Sequence, residues 1–135
     1  MKLLLDINVL LDVLLQRDPW AEPAANLLTQ IERGEAEGFV AGHTLTTIHY
    51  VVSRARDRQL AAAAVTDLLR FMEVIPVEKV DFSQALVLPM EDFEDAVQAA
   101  AALKIGVDYI VTRDEKGFGG LSIPTVNSGE ILSLL

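Results

Sequence analysis

The chain contains no cysteine. That excludes disulfides, thiolate-bound zinc and cysteine nucleophiles, and it is compatible with a reducing compartment. It also has no apolar run approaching the roughly 18 residues of a membrane span. The N-terminal leucines are interrupted by Asp6 before they could form the apolar centre of a secretion signal. The expectation is a soluble, cytoplasmic protein with no membrane partner. Positive charge is scarce as well: eleven Lys and Arg stand against twenty Asp and Glu, a formal net charge of −9. Phosphate backbones are held by cations, so a general nucleic-acid coat is excluded. A nucleic-acid role would need bound divalent ions or a local basic cluster. Arg54, Arg56 and Arg58 in SRARDR form such a cluster, although the solvated end of a helix explains it more simply.

What is present is apolar material, 51% of 135 residues, enough for one domain over residues 1–135 with a continuous core. KLLLD reads as a buried strand, and NVLLDVLL continues with helical spacing up to the QRDPW break. PAANLLTQIERGE is a helix closing near Gly34 and Gly38, and GFVAG is a short strand bounded by glycines. HTLTTIHYVVSRARD and QLAAAAVTDLLRFME read as helices. EVIPV follows as a strand that Pro76 assigns to an edge. KVDFSQALVL is a helix stopped before Pro89, and EDFEDAVQAAAALKIG is a helix with its glycine at the end. DYIVT and IPTV are the last strands, and SGEILSLL is a closing helix. Strands alternating with helices predict a three-layer α/β/α sandwich around a parallel sheet, because parallel neighbours need crossover connections.

In open sheets of this kind ligands sit at the carboxyl ends of the strands, and that rule selects which acids matter. Asp6 ends the first strand. Thr112-Arg113-Asp114 ends DYIVT. EDFED begins a late helix. If Asp6, Asp95 and Asp114 converge, their repulsion raises pKa values unless a cation neutralises it. A hard ion such as Mg²⁺ or Mn²⁺ suits all-oxygen ligands. Each acid has a simpler explanation too. Asp6 or Asn8 could cap the following helix, Asp92 could cap its own with Asp95 completing a capping-box-like pair, and Asp114 could be an ordinary turn residue. Glu91, Asp92, Glu94 and Asp95 together carry more negative charge than one helix end requires. The two histidines share one helical region, and no Ser–His–Asp arrangement is offered.

LLLDINVLLD, HTLTTIHYVV, DFEDAVQAAAA and YIVTRDEKGF, in that order, resemble the PIN-domain proteins, most closely the VapC-like ribonuclease toxins of toxin–antitoxin pairs. The resemblance runs from Met1 to the C-terminal helix. It implies a PIN-like sandwich, an acidic site binding Mg²⁺ or Mn²⁺, hydrolysis of RNA to a 5′-phosphate and a 3′-hydroxyl, a small antitoxin partner and a homodimer. Carried over by position, Asp6, Asp95 and Asp114 correspond to the catalytic, metal-binding acids, with Asn8 and Thr112 supporting. One match fails: where the family usually has a Glu on the helix after the second strand, this chain has Thr44, Thr46, Thr47 and His49. Thr47 or His49 could hydrogen-bond a metal-bound water, and Asp92, as a further metal ligand, or Glu94 could restore the missing charge. His49 also has a local explanation, as a helix residue satisfied within its own helix. Two other classes stand beside this reading. One is a PIN-fold binding module whose catalysis has lapsed. The other is a haloacid-dehalogenase-like phosphotransferase, which would want a second Asp where this chain has Asn8 and gives no reason for DFEDA.

Overall fold

After Lys2, the run Leu3–Leu5 carries nothing that needs water, and it forms the central strand β1 (Lys2–Leu5) with Leu3, Leu4 and Leu5 fully buried. The computed structural model describes residues 1–135. Beyond β1 the order is α1 (Ile7–Leu14), α2 (Ala21–Glu32), β2 (Glu37–Ala41), α3 (Gly42–Ala55), α4 (Arg58–Phe71) and β3 (Glu73–Ile75). Then come α5 (Lys79–Leu86), α6 (Phe93–Ile105), β4 (Tyr109–Val111), β5 (Thr125–Val126) and α7 (Ser128–Leu132).

The sheet order is β3-β2-β1-β4-β5, and every pair is parallel. Pro76 follows β3, which lies at the edge, where a missing N–H is tolerated. The chain builds outward from β1 through β2 to β3, then crosses back to lay β4 against the other side of β1. The order therefore reverses between β1 and β4, the crevice where open α/β sheets bind ligands. Register places Leu5 beside Val111, and the Asp6 N–H donates to the Val111 carbonyl at 2.9 Å. Asp6 and Thr112 thus leave the sheet side by side.

Alternation along β1 divides the core. Leu3 and Leu5 pack with Leu10, Leu27, Ile48 and Leu68 from α1–α4, whereas Leu4 packs with Ala99, Ala101, Ala102, Ile110 and Phe118 on the opposite face. Each buried leucine contributes roughly 1.5–3 kcal/mol, and the arrangement is a three-layer α/β/α sandwich. On α6, Ala96, Ala99, Ala100, Ala101 and Ala102 are all buried. Side chains this small let the helix axis lie close to the sheet. Gly106 ends α6 at φ +72°, the left-handed conformation glycine adopts freely. Lys104 ties α6 to α5 through Asp81 at 2.7 Å and the Pro76 carbonyl at 2.6 Å.

Some elements are shorter than their sequence pattern predicts. The helix expected across KVDFSQALVL ends at Leu86, because Leu88 precedes Pro89 and is steered away from helical geometry. IPTV forms a ladder only at Thr125–Val126, with Pro124 contributing its carbonyl to the Ile110 N–H. No helix is long and apolar enough to cross a membrane.

Candidate active site

Asp6 lies just beyond β1 and just before α1, yet its side chain makes no capping bond to that helix. Its two oxygens turn across the crevice instead. One accepts from Gln98 Nε2 at 3.0 Å and the other from Thr112 Oγ1 at 2.9 Å. Burial pushes the Asp6 carboxyl above the usual range, its hydrogen bonds with Gln98 and Thr112 and the nearby Asn8 backbone pull it back, and the Asp114 charge adds to the rise. Asn8 sits half-buried in the first turn of α1.

The acids of EDFED divide between the two explanations open to them. Asp92 is the N-cap of α6, accepting the Asp95 N–H at 2.9 Å. The reciprocal half of a capping box is missing, because Asp95 turns inward, where its Oδ1 accepts from Gln98 Nε2 at 3.3 Å. Asp95 is pushed up to about 7, first by burial and then by the charges of Asp6, Asp92, Asp114 and Glu94. No Lys or Arg forms an ion pair with any of these five acids. Asp114 is exposed at the start of the loop after β4. Its N–H donates to Thr112 Oγ1 at 2.9 Å, and its Oδ1 accepts the Gly117 N–H at 3.0 Å. Thr112 therefore links Asp6 and Asp114 through one hydroxyl.

Thr47 and His49 separate clearly. Thr47 Oγ1 donates to Glu94 Oε2 at 2.8 Å, so the helix that lacks a carboxylate of its own holds one supplied by α6. His49, two residues on and so on another side of α3, has Ser53 Oγ 3.5 Å from its Nδ1 and lines a groove with Arg58 and Gln59. It does not join the acids. His43, at the start of α3, donates from Nε2 to the Glu94 carbonyl at 3.2 Å and so pins the first turn of α6. Burial lowers its pKa, which keeps it neutral. Arg54 in the last turn of α3, Arg56 at its C-cap and Arg58 at the start of α4 cluster around the far end of α3, and a helix of that length spans about 20 Å. They sit away from the acidic edge as a solvated helix end.

The donor set is all oxygen, negatively charged and without a cationic partner, which matches the preference of hard divalent ions. As the side chains stand, no group of three His, Asp or Glu residues is gathered closely enough to hold an ion. Mg²⁺ characteristically retains several waters and binds through one or two carboxylates, so a closed cage is not required. The residues fit such an ion in chemistry, with Asp6 and Asp95 joined through the Gln98 amide and Asp6 and Asp114 through the Thr112 hydroxyl.

Two features were not anticipated from the sequence. Gln98 is fully buried; besides serving Asp6 and Asp95 it accepts the Ile7 N–H at 3.1 Å, so one amide joins β1, α1 and α6. Its sequence signal is only a polar residue one turn after Asp95 within an alanine run. The second is Arg113, which makes two bonds to the buried Asp12, at 2.8 and 3.1 Å, and lies 3.8 Å over the Trp20 ring.

The chain is thus an α/β/α sandwich with acids lacking a cationic partner at its topological switch point. The profile of the PIN domain matches residues 2–116, and the chain belongs to the PIN-domain family. Among solved structures, VapBC2 from Rickettsia felis, bound to a DNA fragment from its promoter, includes a chain that aligns with a TM-score of 0.73 at 15% identity, over 94% of this chain and 98% of that one. VapC20 of Mycobacterium tuberculosis, a sarcin–ricin loop cleaving toxin, aligns with a TM-score of 0.72 at 19% identity, over 90% and 98% of the two chains. A toxin–antitoxin complex from Klebsiella pneumoniae gives 0.69 at 18% identity, over 93% and 96%. These similarities establish the fold. No curated protein sequence matches.

Proposed function

We propose that this PIN-domain protein is a Mg²⁺- or Mn²⁺-dependent endoribonuclease, the toxin of a toxin–antitoxin pair, that hydrolyses RNA phosphodiesters with water as nucleophile. The observation that carries this reading is Asp95. Its carboxyl is driven to about 7 by burial and four neighbouring carboxylates, with no cation of the protein to relieve it. Perturbation of that kind in a crevice marks a functional acid. Asp6, Asp95 and Asp114 would hold a divalent ion, which would supply a bound water of lowered pKa and a positive charge for the phosphate.

The chain's own residues prepare the place. Gln98 and Thr112 hold both Asp6 oxygens in fixed directions. Asp95 and Asp114 bring negative charge from α6 and the loop after β4, and Asp92 adds to it from the cap position. Thr47 fixes Glu94 as the substitute for the carboxylate that α3 lacks. An antitoxin and a second copy of the chain are the proposed protein partners. The exposed Phe82, Leu86, Val87 and Phe93 beside the start of α6 offer apolar surface for such an association.

The open acid set and the absent α3 carboxylate favour a second reading, a PIN-fold binding module without catalysis. Incubating purified protein with single-stranded RNA and Mn²⁺ separates the two. Cleavage that chelation or Asp6→Asn abolishes supports the nuclease. A protein inert on diverse RNAs at every metal concentration, with Thr47→Glu also inert, is the binding module.

A further inference from the structure

Beside the acids lies a cavity of about 480 Å³ that the proposed hydrolysis does not use. It opens between α1, the start of α2, the end of β4 and the turn into α7, and its walls include Trp20, Pro23, Thr112, Arg113, Asn127 and Glu130. The volume falls within the range of small-molecule sites. Trp20 is the only tryptophan of the chain and is 41% exposed, an unusual position for the largest apolar side chain. The Arg113 guanidinium lies 3.8 Å from the centre of its ring and is held by two bonds to Asp12. Together they offer an aromatic ring and a planar guanidinium, the two kinds of group on which nucleic-acid bases stack.

The polar groups narrow the ligand further. Asp12 is occupied by Arg113 and by Arg17 at 3.7 Å. Glu115 and Glu130, also in the wall, have no cationic partner. A phosphate would be repelled by these carboxylates, whereas a planar ring can stack on the Trp20–Arg113 pair. Asn127 Oδ1 accepts the Glu130 N–H at 2.8 Å, which fixes the amide and leaves its NH₂ to donate. Thr112 lines the cavity and also holds Asp6.

We infer that this cavity takes an unstacked nucleobase of a single-stranded RNA, stacked against the Trp20–Arg113 pair, next to the phosphate at Asp6, Asp95 and Asp114. The base site is thus a specificity determinant, and the place of the phosphate rests on the nuclease reading above. Because Trp20 is the sole tryptophan, its fluorescence reports the cavity without any need for cleavage. The experiment titrates the whole protein with the four free ribonucleosides, with inorganic phosphate and with free arginine as comparisons. Calorimetry repeats the titrations on Trp20→Phe and Trp20→Ala. Saturable quenching by at least one nucleoside is expected, with binding retained in Trp20→Phe and weakened about five- to a hundredfold in Trp20→Ala, as loss of one stacking partner requires. Quenching by phosphate or arginine alone, or equal nucleoside binding in Trp20→Ala, overturns the inference. Metal-dependent RNA cleavage without nucleoside binding removes the base site and leaves the nuclease. Saturable nucleoside binding by a protein that cleaves no RNA removes the nuclease and leaves the base site.

Discussion

Replacing Asp95 with Asn should make the metal-free protein more stable. Asp95 has its carboxyl raised from 3.8 to about 7, chiefly by burial and then by the charges of Asp6, Asp92, Asp114 and Glu94. Below about pH 4 the group is protonated in both folded and unfolded chains and contributes nothing to the pH dependence. Between about 4 and 7 the unfolded chain releases this proton while the folded one keeps it, so stability falls as pH rises, and above 7 the whole penalty is present. The interval corresponds to about 4 kcal/mol. Asp95 is only half-buried and Asp92 and Asp114 are exposed, so screening by solvent reduces the expected effect to about 1–2 kcal/mol. Asn keeps the shape and an oxygen for Gln98 while removing the charge. At pH 8 in chelator, Asp95→Asn should therefore melt about 3–8 °C above the parent, and the difference should vanish by pH 4. Millimolar Mn²⁺ should raise the parent's Tm and leave the variant's nearly unchanged, because an ion that binds only the folded acids stabilises by mass action. A variant that melts at or below the parent at pH 8, or two Tm values that respond equally to Mn²⁺, would refute the reasoning and leave Asp95 as a helix-end acid.

Gln98→Leu should destabilise by about 2–4 kcal/mol in denaturant unfolding, since it strands the buried Ile7 N–H and takes a donor from Asp6; a neutral result would mean that water replaces the amide. Thr47→Glu should lower the metal-free Tm by repelling Glu94 and should gain more from Mn²⁺ than the parent does, whereas His49→Glu should change neither. An equal metal response in the two variants would place His49 at the site after all. Asp12→Asn should cost about 1–3 kcal/mol by weakening a charge-assisted pair, with Trp20 fluorescence shifting as Arg113 loosens. An unchanged spectrum would show that Asp12 does not hold the guanidinium.

The order and type of the elements were legible because each strand is a short apolar run and each helix repeats at helical spacing. Pro76 even marked β3 as an edge. The ends of elements were less legible: Val87 looks as helical as Val80, and only the chain's turn ahead of Pro89 excludes it. At the candidate site, the ends of strands and the start of a late helix singled out Asp6, Asp114 and Asp95 for attention, but nothing in one dimension could choose between Thr47 and His49 as the partner of Glu94, since that depends on how α3 is rotated against α6. Gln98 escaped notice because its partner Asp6 lies 92 positions away. Arg113 escaped similarly, read as the middle letter of a motif when its bonds run 101 positions back to Asp12.

The alanines of α6 have a consequence for the chemistry. None of Ala99, Ala101 or Ala102 touches an acid through a polar atom, yet their lack of bulk lets the helix approach the sheet, and so brings Asp95 towards Asp6. The separation of the two carboxylates is in that sense a ruler whose divisions are methyl groups. A larger side chain at Ala99 or Ala102 would be absorbed by lifting the helix, leaving every acid intact while widening the gap between them. Affinity for an ion could thus be tuned from the hydrophobic layer, in small steps, by residues that no inspection of charged side chains would single out.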